Sequence, residues 1–155
     1  MKVGFYAGSF DPFTVGHLHI VKVASKIFDK VVVGIGVNPK KTRRYDKQKM
    51  KEAIEKLFVS EKLNNTQVIT FDGLTADVAG EYGAEFLIRG VRNGIDYDFE
   101  ENLALINEEI SGIETIYIRA GQYGAISSSM VFELLKRNKD VSKYIPKYVL
   151  DVIKI

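Results

Sequence analysis

Cysteine is absent from all 155 positions. That removes disulfides, thiolate metal sites and a cysteine nucleophile together, and it fits a reducing compartment, so the cytoplasm is the expectation. No apolar run approaches the roughly 20 residues that cross a bilayer, and the first residues lack the charged-then-apolar order of a signal peptide, so no membrane contact is expected. Repeats, low-complexity tracts and linkers are missing too, as is any Ser-His-Asp or Cys-His grouping for nucleophilic catalysis. Histidine is nearly missing: the chain has two, and both fall within GSFDPFTVGHLHI, residues 8–20.

What is present suits one compact domain over residues 1–155 that buries its own core, with 46% hydrophobic and 27% charged residues. A net charge of +2 conceals an uneven distribution. The segment KKTRRYDKQKMK, residues 40–51, holds seven basic residues and one acidic, leaving 15 basic and 19 acidic elsewhere. A nucleic-acid surface would spread further and interleave aromatics, of which this run has only Tyr45, so no nucleic-acid partner is expected. The run reads either as a solvated loop and helix start or as a local clamp for a small polyanion.

Apolar runs alternate with amphipathic segments along the whole chain. KVGFYA, KVVVGIGV, TQVITF, AEFLIRG and ETIYIRA read as strands. Helices are expected over 17–29, 46–59, 75–83, Asp96 to Glu109 and Ser127 to Arg137, with a short one near Pro146 in the tail. Strand then helix, repeated without a hairpin signal, predicts an α/β, Rossmann-like, doubly wound parallel sheet of five strands with helices on both faces. Ligands in such sheets bind beyond the carboxyl ends of the strands, where the winding reverses. The unusual residues fall there: GSFDPFTVGH, NPKKTRR, RGVRNG and GQYGAISSS.

In the first of these loops Gly8 is expected to turn the chain and Gly16 to leave room for a ligand near the backbone. His17 falls in the first turn of a helix, whose unpaired N–H groups suit a phosphate. His19 points roughly 200° around that helix, which disfavours a two-histidine metal site and assigns it to the helix surface or its packing. Asp11, followed by Pro12, reads as a turn former.

Thr14-Val15-Gly16-His17 resembles the (T/H)xGH signature of the nucleotidyltransferases. The wider GSFDPFTVGH is similar to the opening of the phosphopantetheine adenylyltransferase family, and NPKK, LIRGVRNGIDYDFE and ISSS follow in that family's order and spacing over essentially the whole chain. Mononucleotide adenylyltransferases instead pair a GGxFxPxHxGH opening with ISSTxIR, and cytidylyltransferases carry RTxGISTT.

The resemblance implies a nucleotidyltransferase fold and transfer of an adenylyl group from ATP to 4′-phosphopantetheine, giving dephospho-coenzyme A and pyrophosphate. It implies catalytic roles for His17, Lys41, Ser9 and Ser128. Phosphopantetheine would be bound by Ser9, Lys41, Thr75 and Arg89. ATP would be bound by Ser9, Phe10, His17, Gly90, Val91, Arg92, Glu100 and the segment Tyr123, Gly124, Ala125, Ile126, Ser127, Ser128 and Ser129. Ser9 stands where the family often has threonine, and Thr75 at a commonly apolar position. Lys40, Arg43 or Arg44 could replace Lys41 as the main anion contact. In ISSS, one serine can cap a helix while another reaches a phosphate. Gly90 and Gly94 are expected to give their loop backbone freedom.

Magnesium is the implied cofactor, held through ATP and pyrophosphate oxygens with no dedicated protein metal site. Homohexamers, with FEENLALINEEI as one contact face, and inhibition by coenzyme A are implied as well. A nucleotide sensor without turnover is the alternative, which the retained charged set disfavours.

Overall fold

The computed structural model describes residues 1–154, without the side chains of Ile95, Asp96 and Phe99. Five strands, β1 (Val3–Gly8), β2 (Lys30–Gly36), β3 (Thr66–Phe71), β4 (Phe86–Val91) and β5 (Glu114–Arg119), form a parallel sheet in the order β3-β2-β1-β4-β5. The helices are α1 (Val15–Ile27), α2 (Lys47–Ser60), α3 (Thr75–Glu81), α4 (Gly94–Ser111), α5 (Ser128–Lys136) and α6 (Lys147–Ile153), with a 3₁₀ turn at Gly121–Tyr123.

The near-continuous apolar strands of the sequence are explained by burial on both faces. In β1, Tyr6 packs toward α1, α2, α5 and α6, whereas Val3, Phe5 and Ala7 pack with Ala76 and Ala79 of α3. In β2, Val31, Val33 and Ile35 take the first side and Val32 the second. This period-two alternation gives the sheet two cores. Phe5, Phe13, Ile54 and Ile88 are fully buried, each stabilising the fold by about 1.5–3 kcal/mol.

From β1 the chain winds outward to β2 and β3, then returns to place β4 on the other side of β1. The reversal lies between β1 and β4, so the crevice expected of this architecture opens at their carboxyl ends. The element boundaries match the sequence reading closely, with one shift that matters. α1 begins at Val15, two residues early, because Thr14 caps it. His17 is therefore the third helical residue, and that position governs its chemistry.

Candidate active site

Three cavities open at this crevice. The first, about 270 Å³, is bordered by Ser9, Phe10, His17, Gly90, Arg92, Glu100, Tyr123, Ile126 and Ser127, all expected from the sequence. Thr14 of the Thr-x-Gly-His motif borders it too, as do Tyr6, Ile20 and Ala120, which no sequence signal marks. The second, about 340 Å³, gathers Lys41, Ser128 and Ser129 with Ser9. The third, about 270 Å³, holds Thr75, Arg89 and Glu100 beside Leu74, Leu87, Leu103 and Asn107. Ser9 borders the first two, and the Arg89–Glu100 pair is the wall between the first and third. Val91, Gly124 and Ala125 border none of these three. The Val91 carbonyl accepts the Ala120 N–H at 3.0 Å and the Gly124 N–H is turned to Gly121 O at 3.2 Å, so they shape the turn that carries Tyr123.

The Thr-x-Gly-His spacing is a reciprocal helix cap. Thr14 Oγ1 accepts the His17 N–H at 3.3 Å, and His17 Nδ1 accepts the Thr14 N–H at 2.9 Å. Histidine takes the place that glutamate usually holds three residues after the cap. With Nδ1 an acceptor, the hydrogen-bond pattern assigns the proton of the neutral ring to Nε2. Burial, together with the positive charges of Arg89 and Arg92, pushes the His17 pKa down to about 3. The ring is therefore a neutral donor. It is fixed edge-on against Phe10, at 5.0 Å between centroids, and tilted against Phe13 at 5.3 Å.

The same geometry narrows the expectation that the first-turn amides of α1 are open to a phosphate, since two of them are already bonded. The Val15 N–H donates to Tyr144 O at 2.9 Å and the His17 N–H is taken by Thr14. The expected roles of Gly8, Gly90 and Gly94 change as well, whereas Gly16 borders the first cavity as expected. The left-handed backbone of the first loop lies at Phe10 (φ 45), whereas a Cβ on Gly8 would come within 2.9 Å of the Phe10 ring. Gly8 thus makes room for that ring rather than turning the chain. Gly90 and Gly94 lack left-handed backbone; Gly90 lies within β4 and Gly94 begins α4.

Arg89 is gripped on three sides. Its Nε and Nη2 donate to the two Glu100 carboxylate oxygens at 2.7 and 2.9 Å, and Nη1 donates to Ala7 O at 2.5 Å. Burial pulls the guanidinium pKa down, but the bonded Glu100 carboxylate more than offsets this and holds it above the ordinary arginine value. Glu100, expected as a nucleotide contact, spends both oxygens on Arg89. The Arg89 fork keeps two further N–H groups that can meet an anion.

In the loop after β2, Asn38 Oδ1 accepts the Lys40 N–H at 2.9 Å and Asn38 O accepts the Lys41 N–H at 3.0 Å, a turn that leaves both lysines exposed. Arg43 and Arg44, the alternative anion contacts, border the same cavity as Lys41, and each is also bonded to protein groups. Arg43 Nη1 donates to Ser9 O at 2.6 Å, and Arg44 Nη1 donates to Asp11 O at 3.0 Å with its guanidinium 4.4 Å above the Phe132 ring. Asp11 does more than form a turn: its carboxylate accepts the Arg44 and Tyr45 amides at 2.7 and 3.0 Å.

The three serines divide their work. Ser127 caps α5 by accepting the Met130 N–H at 3.1 Å, Ser128 donates to Pro12 O at 2.7 Å, and Ser129 is exposed beside Lys41. The Ser128 hydroxyl, expected to be catalytic, ties α5 to the first loop. His19 is half-buried, its ring 5.2 Å from that of Tyr123.

Cations and N–H or O–H donors converge here, while the two nearby carboxylates, Asp11 and Glu100, already face arginines. Such a set receives a polyanion and stabilises charge developing on it. Among the described residues, no three His, Cys, Asp or Glu side chains converge as a metal site would require. No helix among them is long and apolar enough to cross a membrane.

The sequence pattern of the Cytidylyltransferase-like family matches residues 5–134. The chain is 37% identical to a phosphopantetheine adenylyltransferase of Lachnoclostridium phytofermentans, covering 99% of this chain and 94% of that protein. It is 40% identical to proteins of the same name from Phocaeicola vulgatus, over 95% of this chain and 97% of that one, and Streptococcus suis, over 99% and 95%. A solved Vibrio parahaemolyticus structure, provisionally described as a nicotinate-nucleotide adenylyltransferase, superposes with a TM-score of 0.71 at 18% identity, covering 99% of this chain and 92% of that one. That likeness concerns the fold alone.

Proposed function

The chain belongs to the Cytidylyltransferase-like family and, within it, to the phosphopantetheine adenylyltransferases, and from that membership we infer the reaction its site performs. It transfers the adenylyl group of ATP reversibly to 4′-phosphopantetheine, giving dephospho-coenzyme A and pyrophosphate, the penultimate step of coenzyme A biosynthesis, in the cytoplasm.

A phosphate oxygen of the acceptor attacks the α-phosphorus of ATP, a P–O bond forms, and the bond to pyrophosphate breaks. The nucleophile is already an anion near neutral pH, so no general base is needed. The task is to bring two anions together and to stabilise charge on the reacting phosphorus and the leaving group. The observation that carries this reading is the His17 ring, whose Nδ1 accepts the Thr14 N–H at 2.9 Å and so leaves Nε2 as its donor. It cannot serve as a base, but it is placed to donate to an α-phosphate oxygen more strongly as charge builds there.

In this reading Lys41 neutralises the incoming phosphate and the α-phosphate between them, Ser9 orients both from the border of two chambers, and Arg92 takes the β- and γ-phosphates through its planar fork. Ser129 supplies a hydroxyl to the same triphosphate. Arg89 receives the acceptor phosphate, and the apolar chamber behind it, with Thr75 and Asn107 as polar points, suits the amide-bearing pantetheine arm. Magnesium enters with ATP as part of the substrate, carried on polyphosphate oxygens, and neutralises the leaving pyrophosphate.

We extend the proposal to a homo-oligomer, expected to be a hexamer, and to coenzyme A as an inhibitor in the acceptor chamber. The exposed Leu105, Ile106 and Ile110 of α4 support an assembly face.

Pyrophosphate release from ATP and magnesium, with 4′-phosphopantetheine and nicotinamide mononucleotide compared as acceptors, tests the reading. Release with the first alone, with dephospho-coenzyme A in the mass spectrum, is expected. Release with the mononucleotide alone would overturn the acceptor, and silence with both would leave a nucleotide sensor.

A further inference from the structure

The run of basic residues after β2 is not uniform in the fold. Lys40, Lys41, Lys47 and Lys49 are exposed, whereas the Arg43 side chain is 14% exposed and turned into the loop after β1. There Nη1 donates to Ser9 O at 2.6 Å, Nε to Tyr45 O at 3.0 Å and Nη2 to Phe10 O at 3.5 Å, with Nη2 also 3.5 Å from Asp11 Oδ1. Asp11 closes the stitch from the other side by accepting the Arg44 and Tyr45 amides. A planar fork with several donors can hold carbonyls of two chain segments at once, which a lysine ammonium on a flexible stem cannot do with the same definition.

We propose that Arg43 is a positioning residue for adenylyl transfer, latching the segment that carries Lys41 onto the segment that carries Ser9 and Phe10. The inference rests on the function proposed above. Lys41 sits two residues before the latch, on an exposed turn whose own ties reach only as far as Asn38. Beyond Arg43 and the Asp11 carboxylate, the described bond from the β2–α2 segment to the first loop is Arg44 Nη1 to Asp11 O at 3.0 Å, which lies farther along the chain from Lys41. The latch also grips the carbonyl of Phe10, the residue in left-handed backbone whose ring abuts His17. One guanidinium thereby sets the separation of Lys41, Ser9 and His17, the groups that must face a single phosphorus. Misplacement by about 1 Å in such a set can cost on the order of 100-fold in rate.

The test compares Arg43→Met, Arg43→Lys, Lys41→Met and the double variant Lys41→Met/Arg43→Met by kcat, KM and amide hydrogen exchange. Arg43→Met is expected to lower kcat by about 10- to 100-fold with KM for ATP within about twofold. Arg43→Lys should recover little of the loss. In the Lys41→Met background, Arg43→Met should add less than about a twofold further loss, since the two act as a unit. The Arg44 and Tyr45 amides should exchange faster in Arg43→Met while β1 amides stay protected, which shows that the fold is retained.

Additive losses with unchanged exchange at Arg44 and Tyr45 would make Arg43 a direct anion contact and overturn the proposal. Full rescue by lysine, or an unchanged kcat, would overturn it as well. If the wild-type protein uses no 4′-phosphopantetheine, the proposed function fails, while the exchange measurement still decides whether the latch exists.

Discussion

The Thr14 amide and His17 Nδ1 are hydrogen-bonded at 2.9 Å, so the helix cap and the Nε2 donor proposed for the α-phosphate are two ends of one ring. The two ends can be separated by substitution. Asparagine at position 17 places an acceptor near Nδ1 but nothing near Nε2, whereas glutamine does the reverse. His17→Asn should stay folded and lose about 100- to 1,000-fold in kcat, as removal of one donor to a developing oxyanion does. Its binding of ATP, measured by calorimetry, should change far less. His17→Gln should retain more kcat than His17→Asn; the opposite order would remove the Nε2 role.

The depressed His17 pKa also makes a statement about acid stability. With a folded pKa of about 3 against the ordinary 6.5, the unfolded chain binds the proton and the folded chain does not. Stability contributed by keeping this ring neutral is therefore present above pH 6.5 and lost as pH falls toward 3, by about 1.4 kcal/mol per pH unit at most. His17→Asn removes the titration. Urea unfolding at pH 7 and pH 5 should show a smaller acid loss in the variant than in the wild type.

Arg89 and Glu100 form a bidentate pair at the wall between two cavities. Glu100→Gln replaces one carboxylate oxygen by a donor that faces a guanidinium. Breaking a fully buried pair costs about 3–5 kcal/mol, and Arg89 is one-third exposed, so a loss of about 2 kcal/mol is expected here. Denaturant unfolding measures it. Freed from its carboxylate, Arg89 should also lose its fixed aim, raising KM for 4′-phosphopantetheine more than for ATP.

The strands and helices were legible because a parallel sheet covered on both faces needs near-continuous apolar strands, and β1 and β2 show this plainly. Most of the cavity border was legible for a different reason: glycines, histidine and arginines cluster just after strands. What stayed hidden was how polar groups pair across the chain. Nothing local distinguishes Arg43 from Lys41, since their difference arises where a loop 34 residues away offers Ser9 O to one of them. The tie of Ser128 to the first loop was hidden similarly, because its partner, Pro12 O, lies 116 residues distant. Gly8 was misread because the constraint is a ring two residues on and not a backbone angle.

Gly8 and Gly16 should therefore respond differently to alanine. At Gly8 the added methyl would meet the Phe10 ring at 2.9 Å. Displacing that ring should cost about 1–3 kcal/mol and lower kcat, because the ring abuts His17. At Gly16 the added methyl lies 3.4 Å or more from Thr14 and Tyr123, ordinary contact for a helical residue bordering the cavity. Gly16→Ala should keep or slightly raise thermal stability while raising KM for ATP.

Serines 127 and 129 separate stability from binding in the same way at the start of α5. Ser127 Oγ accepts the Met130 amide, so Ser127→Ala should cost about 1 kcal/mol in denaturant unfolding. Ser129 is exposed at the cavity shared with Lys41, so Ser129→Ala should leave stability within about 0.5 kcal/mol of wild type. Its effect should fall on the nucleotide, as a several-fold rise in KM for ATP with KM for 4′-phosphopantetheine unchanged. A stability loss at Ser129 matching that at Ser127, with both KM values unmoved, would reduce the ISSS segment to a helix cap alone.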